Sequence, residues 1–291
     1  MRRLVARRNQ VVRHRTRLKN ETHAILHAHL VPPCPHADLF SRVGRAWLER
    51  QALPDDEQAA IRRHLRELDT LGEDLAVLDR AIGEATLDSP VVRRLLTVTG
   101  INVTVAAGLA AAIGDVRRFS SPQTLVSYFG LNPRVRQSGL GLGHHGRISK
   151  AGGSHARAML VEAAWSAAKA PRPLHAFFVR VRARRGHQIA AVATARKLAV
   201  LCWHLLTKEA DYLSGCPGLV ANEICGLELQ ASQPQKGNQR GPAYAYNIKA
   251  LRDQEMEIDR RAETAYERVV AHWTPRPSKA VRGRLKSARL E

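Results

Sequence analysis

Apolar residues recur along this chain at helical intervals, and that limits it to packed helices. Leu4, Val11, Leu18 and Ile25 stand seven residues apart, with Val5, Val12 and Leu26 beside them. Residues 1–30 are therefore expected to form one helix with an apolar stripe. Pro32-Pro33-Cys34-Pro35 stops it. Ile61, Leu65, Leu68, Leu71, Leu75, Leu78 and Ile82 make a second row, and from Leu68 the steps alternate three and four as in a coiled-coil seam. Pro54-Asp55-Asp56-Glu57 opens that helix with acids in its first turn, and a shorter helix is expected near residue 38. A row this long closes on another helix of the chain or on a second copy. We expect a homo-oligomer through a coiled coil at 54–87.

Beyond Asp88-Ser89-Pro90, a short helix, the turn Thr99-Gly100-Ile101-Asn102 and an alanine-rich helix follow in order. Helix, glycine turn and small-residue helix resemble half of a helix–hairpin–helix element, which offers backbone N–H groups to a phosphate. Gly100 and Asn102 are the candidate contacts there, and a plain interhelical turn fits the same residues. Ser121-Pro122-Gln123 starts another helix that ends at Gly130. Further helices are expected at 155–169, 174–185, 189–206 and 247–271, with a linker at 230–242 and a basic, disordered tail from residue 275. Strand signals are few. The expected fold is mainly α: a basic helix at 1–35, a coiled-coil segment at 36–88, a helical domain at 89–214, and a C-terminal extension at 215–291.

The formal net charge is +20 over 291 residues. Such a charge implies a polyanionic partner, nucleic acid before an acidic membrane surface. Eight Arg or Lys precede the first acid, Glu21, so the first helix is expected to contact nucleic acid. No apolar run approaches the ~18 residues of a spanning helix, and Met1-Arg2-Arg3 leads into no apolar signal core. The four cysteines have no CxxC spacing, as for free thiols in a reducing compartment. A cytoplasmic protein without membrane partners is expected.

The chemistry concentrates in Asn132-Pro133-Arg134-Val135-Arg136-Gln137-Ser138-Gly139 and the following segment through Arg147-Ile148-Ser149-Lys150. One serine stands in a glycine-rich, acid-free loop among Arg134, Arg136, Arg147, Lys150 and Arg157. A serine hydroxyl can attack a phosphodiester and hold the strand covalently, conserving bond energy for rejoining. A loop serine also serves simply as a turn residue, and Ser149 and Ser154 lie nearby. His144 and His145 can assist proton transfer or touch phosphate. Gly141 to Gly146 fits GxGxxG only as text, since no strand leads into it and no acid follows at the required distance. It also lacks the Lys-Ser/Thr pair of a P-loop. His23, His27, His29, Cys34 and His36 are expected to be ordinary polar residues, with no metal held.

The order of short motifs carries a resemblance. Gly100-Ile-Asn102, Ala-Ala-Ile113-Gly114-Asp115, Arg118-Phe-Ser-Ser121, Tyr128-Phe-Gly-Leu-Asn-Pro133, Ser138-Gly139, Arg147-Ile-Ser-Lys150-x-Gly152 and Ala156-Arg157-x-Met-Leu160 together resemble insertion-sequence transposases of the IS116/IS110/IS902 type, the bridge-RNA-guided recombinases. The resemblance implies that Ser138 is the strand-transfer nucleophile. It implies DNA and a guide RNA as partners, and a composite site in a multimer. It also implies a RuvC-like domain whose four acids bind two magnesium ions. The opening Arg2-Arg3-Leu-Val-Ala-Arg-Arg8 looks like the helix that follows that domain. The chain is thus expected to be a truncated transposase, binding no cofactor itself, needing Mg2+ only with the RuvC-like domain, and inactive alone. The alternative is a non-catalytic nucleic-acid-binding remnant. A helix–hairpin–helix DNA-repair scaffold would leave the Ser138 loop unexplained.

Overall fold

The computed structural model describes residues 1–137, 143–170, 172–232 and 248–271. Among them are eleven α-helices and one antiparallel strand pair, so the fold is mainly α. The expected linker from residue 233 onward and the basic tail lie outside the described residues.

Helices α1 (Arg2–Ala28) and α3 (Asp55–Thr86) form an antiparallel hairpin, with α2 (Arg42–Leu48) in the connection. Val11, Leu18 and Leu26 of α1 bury against Ile61, Leu65, Leu68 and Leu71 of α3, joined by Leu39, Leu48 and Leu53. The polar edges are matched along the whole length. Arg8 Nε lies 2.5 Å from Asp79, His14 3.0 Å from Glu67, His64 3.6 Å from Glu21 and His29 3.6 Å from Glu57.

Two features of this hairpin bear on its surfaces. Ile61, Leu65, Leu68 and Leu71 of the α3 row pack on α1 of the same chain, while Val77 of α3 is exposed. A partner helix tethered by a short connection closes such a row at low entropic cost. The basic helix is also less open than its own sequence suggests. Arg8 is paired with Asp79, and Arg7 lies 3.7 Å from Asp74. The acids come from α3, a segment that the local charge pattern of α1 does not show.

The main core is built from α4 (Pro90–Leu96), α5 (Val103–Ile113), α6 (Pro122–Tyr128), α7 (Ser154–Ala167), α8 (Pro173–Arg185) and α9 (His187–Lys208). Leu95, Leu109, Ile113, Leu125, Phe129, Leu160 and Leu198 are fully buried in it, each stabilising by roughly 1.5–3 kcal/mol relative to exposure. Helix α9 packs on α4, α6, α7 and α8. Alanines let these helices approach closely: Ala106 on α5, Ala163 and Ala164 on α7, and Ala195 and Ala199 on α9 are buried. Val5, Ile82, Ala107 and Ala111 weld the α1–α3 hairpin to α5.

Helix α10 (Pro217–Gln230) contributes Leu227 to the main core, and its Gln230 side chain donates to the Asp79 carbonyl at 2.6 Å. Helix α11 (Lys249–Ala271) is held through Arg172, which pairs with Glu255 and Asp259.

Helix α9 departs from the expectation that no segment approaches a membrane span. It is long and apolar enough, by length and composition, to cross a membrane, with a mean hydropathy of 1.5. Its buried face, which includes Ala190, Ala195, Leu198, Cys202 and Leu205, packs into the core of this fold. Alanine-rich packing faces raise hydropathy without long aliphatic runs.

A cationic strand hairpin as candidate nucleic-acid interface

Helix α6 ends at Tyr128, and the chain turns at Gly130, where φ is +67°. It then enters β1 (Pro133–Arg136), which pairs antiparallel with β2 (His144–Ile148). Val135 faces His145 and Arg136 faces His144, with an irregularity between Pro133 and Val135. The sequence suggests a loop alone for this glycine-rich stretch; its flanks are strands. Ser138, Gly139 and Gly141 lie outside the described residues. Ser138 is two residues beyond Arg136, in the segment that joins the strands.

The base of the hairpin is laced to the helical body by backbone bonds. Ser149 N–H donates to the Asn132 carbonyl at 2.8 Å, Lys150 N–H to Gly130 at 3.1 Å, and Gly153 N–H to Tyr128 at 3.1 Å. Lys150 has φ +57° and Gly152 φ +114°. A Cβ on Gly152 would lie 2.2 Å from the Tyr128 carbonyl oxygen, so only glycine lets this strap close.

The expected cations divide into two groups. Arg134 donates to the Ser149 carbonyl at 3.1 Å and Arg157 to the Phe129 carbonyl at 2.9 Å, so both brace the hairpin. Arg136, Arg147 and Lys150 are exposed. No acid occurs anywhere between Asp115 and Glu162, so the chain offers these three no local counter-ion. Val135 is 56% exposed, and the hairpin stands out from the core with its charged side chains in solvent.

Gly100 and Asn102 each have a role in the fold. Gly100 has φ +95°, and a Cβ there would lie 2.6 Å from the Ala163 carbonyl and the Ala167 nitrogen of α7. The turn is pressed against α7 at Gly100, and Asn102 is exposed. Asn102 is the N-cap of α5, its side chain accepting from Val105 N–H at 2.9 Å. The Glu223 side chain of α10 comes to the start of α5 beside Val103, and burial raises its carboxyl above the usual range. Nothing near residue 100 in the sequence signals Glu223. Asn102→Ala is expected to cost about 1 kcal/mol of stability with no loss of DNA affinity; urea unfolding and a binding titration check both.

Among the described residues, no group of three or more His, Cys, Asp or Glu side chains is placed to hold a metal ion. His23 lies edge-on to Phe40 at 5.7 Å, and Lys19 Nζ sits 4.7 Å from the same ring centroid. Cys34 is half-buried and Cys202 buried, both as free thiols, and burial pushes Cys202 up to about 12.

Comparison with known proteins falls on this same region. Residues 92–179 match the model of the Transposase IS116/IS110/IS902 family. That stretch is what the chain shares with this family. The matched segment runs from α4 into α8 and so contains the whole strand hairpin, Ser138 and all five candidate cations. A protein of Pseudomonas aeruginosa named "Probable family 20 transposase" is 30% identical over 222 residues, covering 72% of this chain and 63% of the relative. The "Transposase for insertion sequence element IS1111A" of Coxiella burnetii is 27% identical over 222 residues, covering 72% of this chain and 58% of the relative. The chain therefore spans less than two thirds of the length of these curated relatives. Helices α9 and α10, which complete the core around the family segment, lie beyond the matched residues.

Proposed function

We propose that this chain is the serine-bearing, DNA-handling portion of an insertion-sequence transposase, with Ser138 as the strand-transfer nucleophile. The observation that carries the reading is the hairpin. Its strands bracket Ser138, its base is fixed by a glycine strap, and Arg136, Arg147 and Lys150 project from it without a local acid. An exposed cation set fixed on a rigid mount suits a phosphodiester, because phosphate contacts set the register of a nucleic acid on its protein. In the proposed step the Ser138 hydroxyl attacks phosphorus. The Oγ–P bond forms, the bond from phosphorus to the 3′ or 5′ oxygen breaks, the serine proton is released and the leaving oxygen takes one up. Reversal on a second DNA end rejoins the strand. The cations stabilise the charge that grows on the phosphoryl oxygens.

Three acids of α3 are engaged by arginines. Asp79, Asp74 and Asp69 are turned to Arg8, Arg7 and Arg45 along the helical hairpin. Magnesium belongs in this reading to the RuvC-like domain that the family implies, and guide RNA to the choice of DNA. Both are parts of the proposal, as is a cytoplasmic setting. A homo-oligomer through the 54–87 coiled coil, sharing a composite site, is part of it as well.

Binding should be strongly salt-dependent. Replacing Arg136 and Arg147 by glutamine is expected to reduce the slope of log affinity against log salt on duplex DNA by about 1.8, or ~0.9 for each phosphate no longer neutralised. A wild-type affinity that stays flat from low to high salt would sink the reading.

A further inference from the structure

Sixteen Arg or Lys and a single acid, Glu162, lie between Asp115 and Glu209. The strand hairpin uses only part of this charge. Residues 173–208, the helices α8 and α9, hold seven more bases and no acid. All seven, Arg180, Arg182, Arg184, Arg185, Arg196, Lys197 and Lys208, are exposed. Elsewhere in the fold, cations meet acids: Arg8 with Asp79, Arg45 with Asp69, Arg172 with Glu255 and Asp259, Arg261 with Glu257. Among the described residues, the bases of α8 and α9 form no ion pair.

The two helices are a rigid mount. The face of α9 opposite the bases is buried through Ala191, Thr194, Ala195 and Leu198. At the turn, the His187 ring lies tilted at 4.7 Å from the Trp165 ring and edge-on at 5.3 Å from Phe178. Phe177 joins the two rows of charge: Arg180 Cζ lies 5.5 Å and Lys197 Nζ 5.6 Å from its ring centroid. Cation–π contact of this kind holds long side chains in place before a ligand arrives. Arg184 follows Arg180 by one helical turn, about 6 Å along α8.

We propose that the α8–α9 face is a second track for the phosphate backbone of duplex DNA, separate from the Ser138 hairpin. The proposal rests on the DNA-handling reading above. A fixed row of cations fits the regular backbone of a duplex. A single strand would need aromatic platforms for its unstacked bases, and Phe177, the aromatic ring between these charges, is half-buried and already engaged by two cations. Sequence-independent contact is expected, since contacts to phosphate oxygens carry no sequence information directly.

The test uses the full chain with Arg180→Gln, Arg184→Gln and Lys197→Gln together, titrated against a duplex, a single-stranded RNA and anionic vesicles over a range of salt. The result expected is a fall in the duplex salt slope of about 2 to 3, at ~0.9 per neutralised phosphate, with vesicle and single-strand binding unchanged. The charge-preserving pair Arg180→Lys with Lys197→Arg should retain the wild-type slope, and circular dichroism should show an unchanged fold. An unaltered duplex slope in the triple variant overturns the second track. A loss confined to RNA or vesicles overturns it too and assigns the face to that partner. The Arg136 and Arg147 variant separates the two readings: if it lowers the slope while the triple variant does not, the hairpin reading stands and the second track falls.

Discussion

Gly152→Ala is expected to lower stability by about 2–3 kcal/mol and to detach the Ser138 hairpin from its mount. The glycine has φ +114°, and a Cβ would sit 2.2 Å from the Tyr128 carbonyl oxygen. Backbone atoms cannot yield as the end of a flexible side chain can. The strained conformation alone costs about 1–3 kcal/mol, and relieving the overlap pulls residues 149–153 away from 128–132. That movement breaks the Gly153 to Tyr128 and Lys150 to Gly130 bonds. Arg134 and Arg157, which donate to carbonyls in the same two segments, lose their anchors with them. Urea unfolding measures the first effect. The second shows as weaker duplex binding than the Arg136 and Arg147 pair gives, although no charge is removed. A Gly152→Ala chain with wild-type stability would mean that the strap does not fix the hairpin.

Much of this arrangement is written locally. Ser89 and Ser121 each accept from a backbone N–H two residues into the helix that the following proline begins, so Ser-Pro pairs mark both starts. The rows at Leu4 to Ile25 and Ile61 to Ile82 give two long helices at the right places. What is hidden is whatever depends on distant partners. The α3 row does not say that α1 covers it, because an apolar stripe reads the same against any helix. The charges of α1 do not reveal the acids of α3 that face them. Gly100 and Asn102 fit a phosphate-binding turn in sequence, yet α7 and Glu223 are brought to that turn only by the fold. The strand pair is hard to see in the sequence because Val135 and Ile148 are its only β-branched residues, and glycine and histidine mask the alternation. The hairpin cations are legible because the acid-free stretch 116–161 supplies no carboxylate of its own, and among the described residues no ion pair reaches Arg136, Arg147 or Lys150.

The central claim is that Ser138 takes the phosphoryl group of a cleaved strand. Ser138→Ala is expected to abolish covalent DNA capture and to leave affinity within about twofold, since exposed cations, not one hydroxyl, supply the binding to phosphate. The measurement is the yield of protease-sensitive protein–DNA adduct on labelled duplex, in reactions supplied with magnesium, guide RNA and the RuvC-like domain that the family implies. The account predicts an adduct with Ser138 present and none with alanine. An equal yield from Ser138→Ala would contradict it and turn attention to Ser149, and tight DNA binding with no adduct from either chain would leave a nucleic-acid-binding protein without strand chemistry.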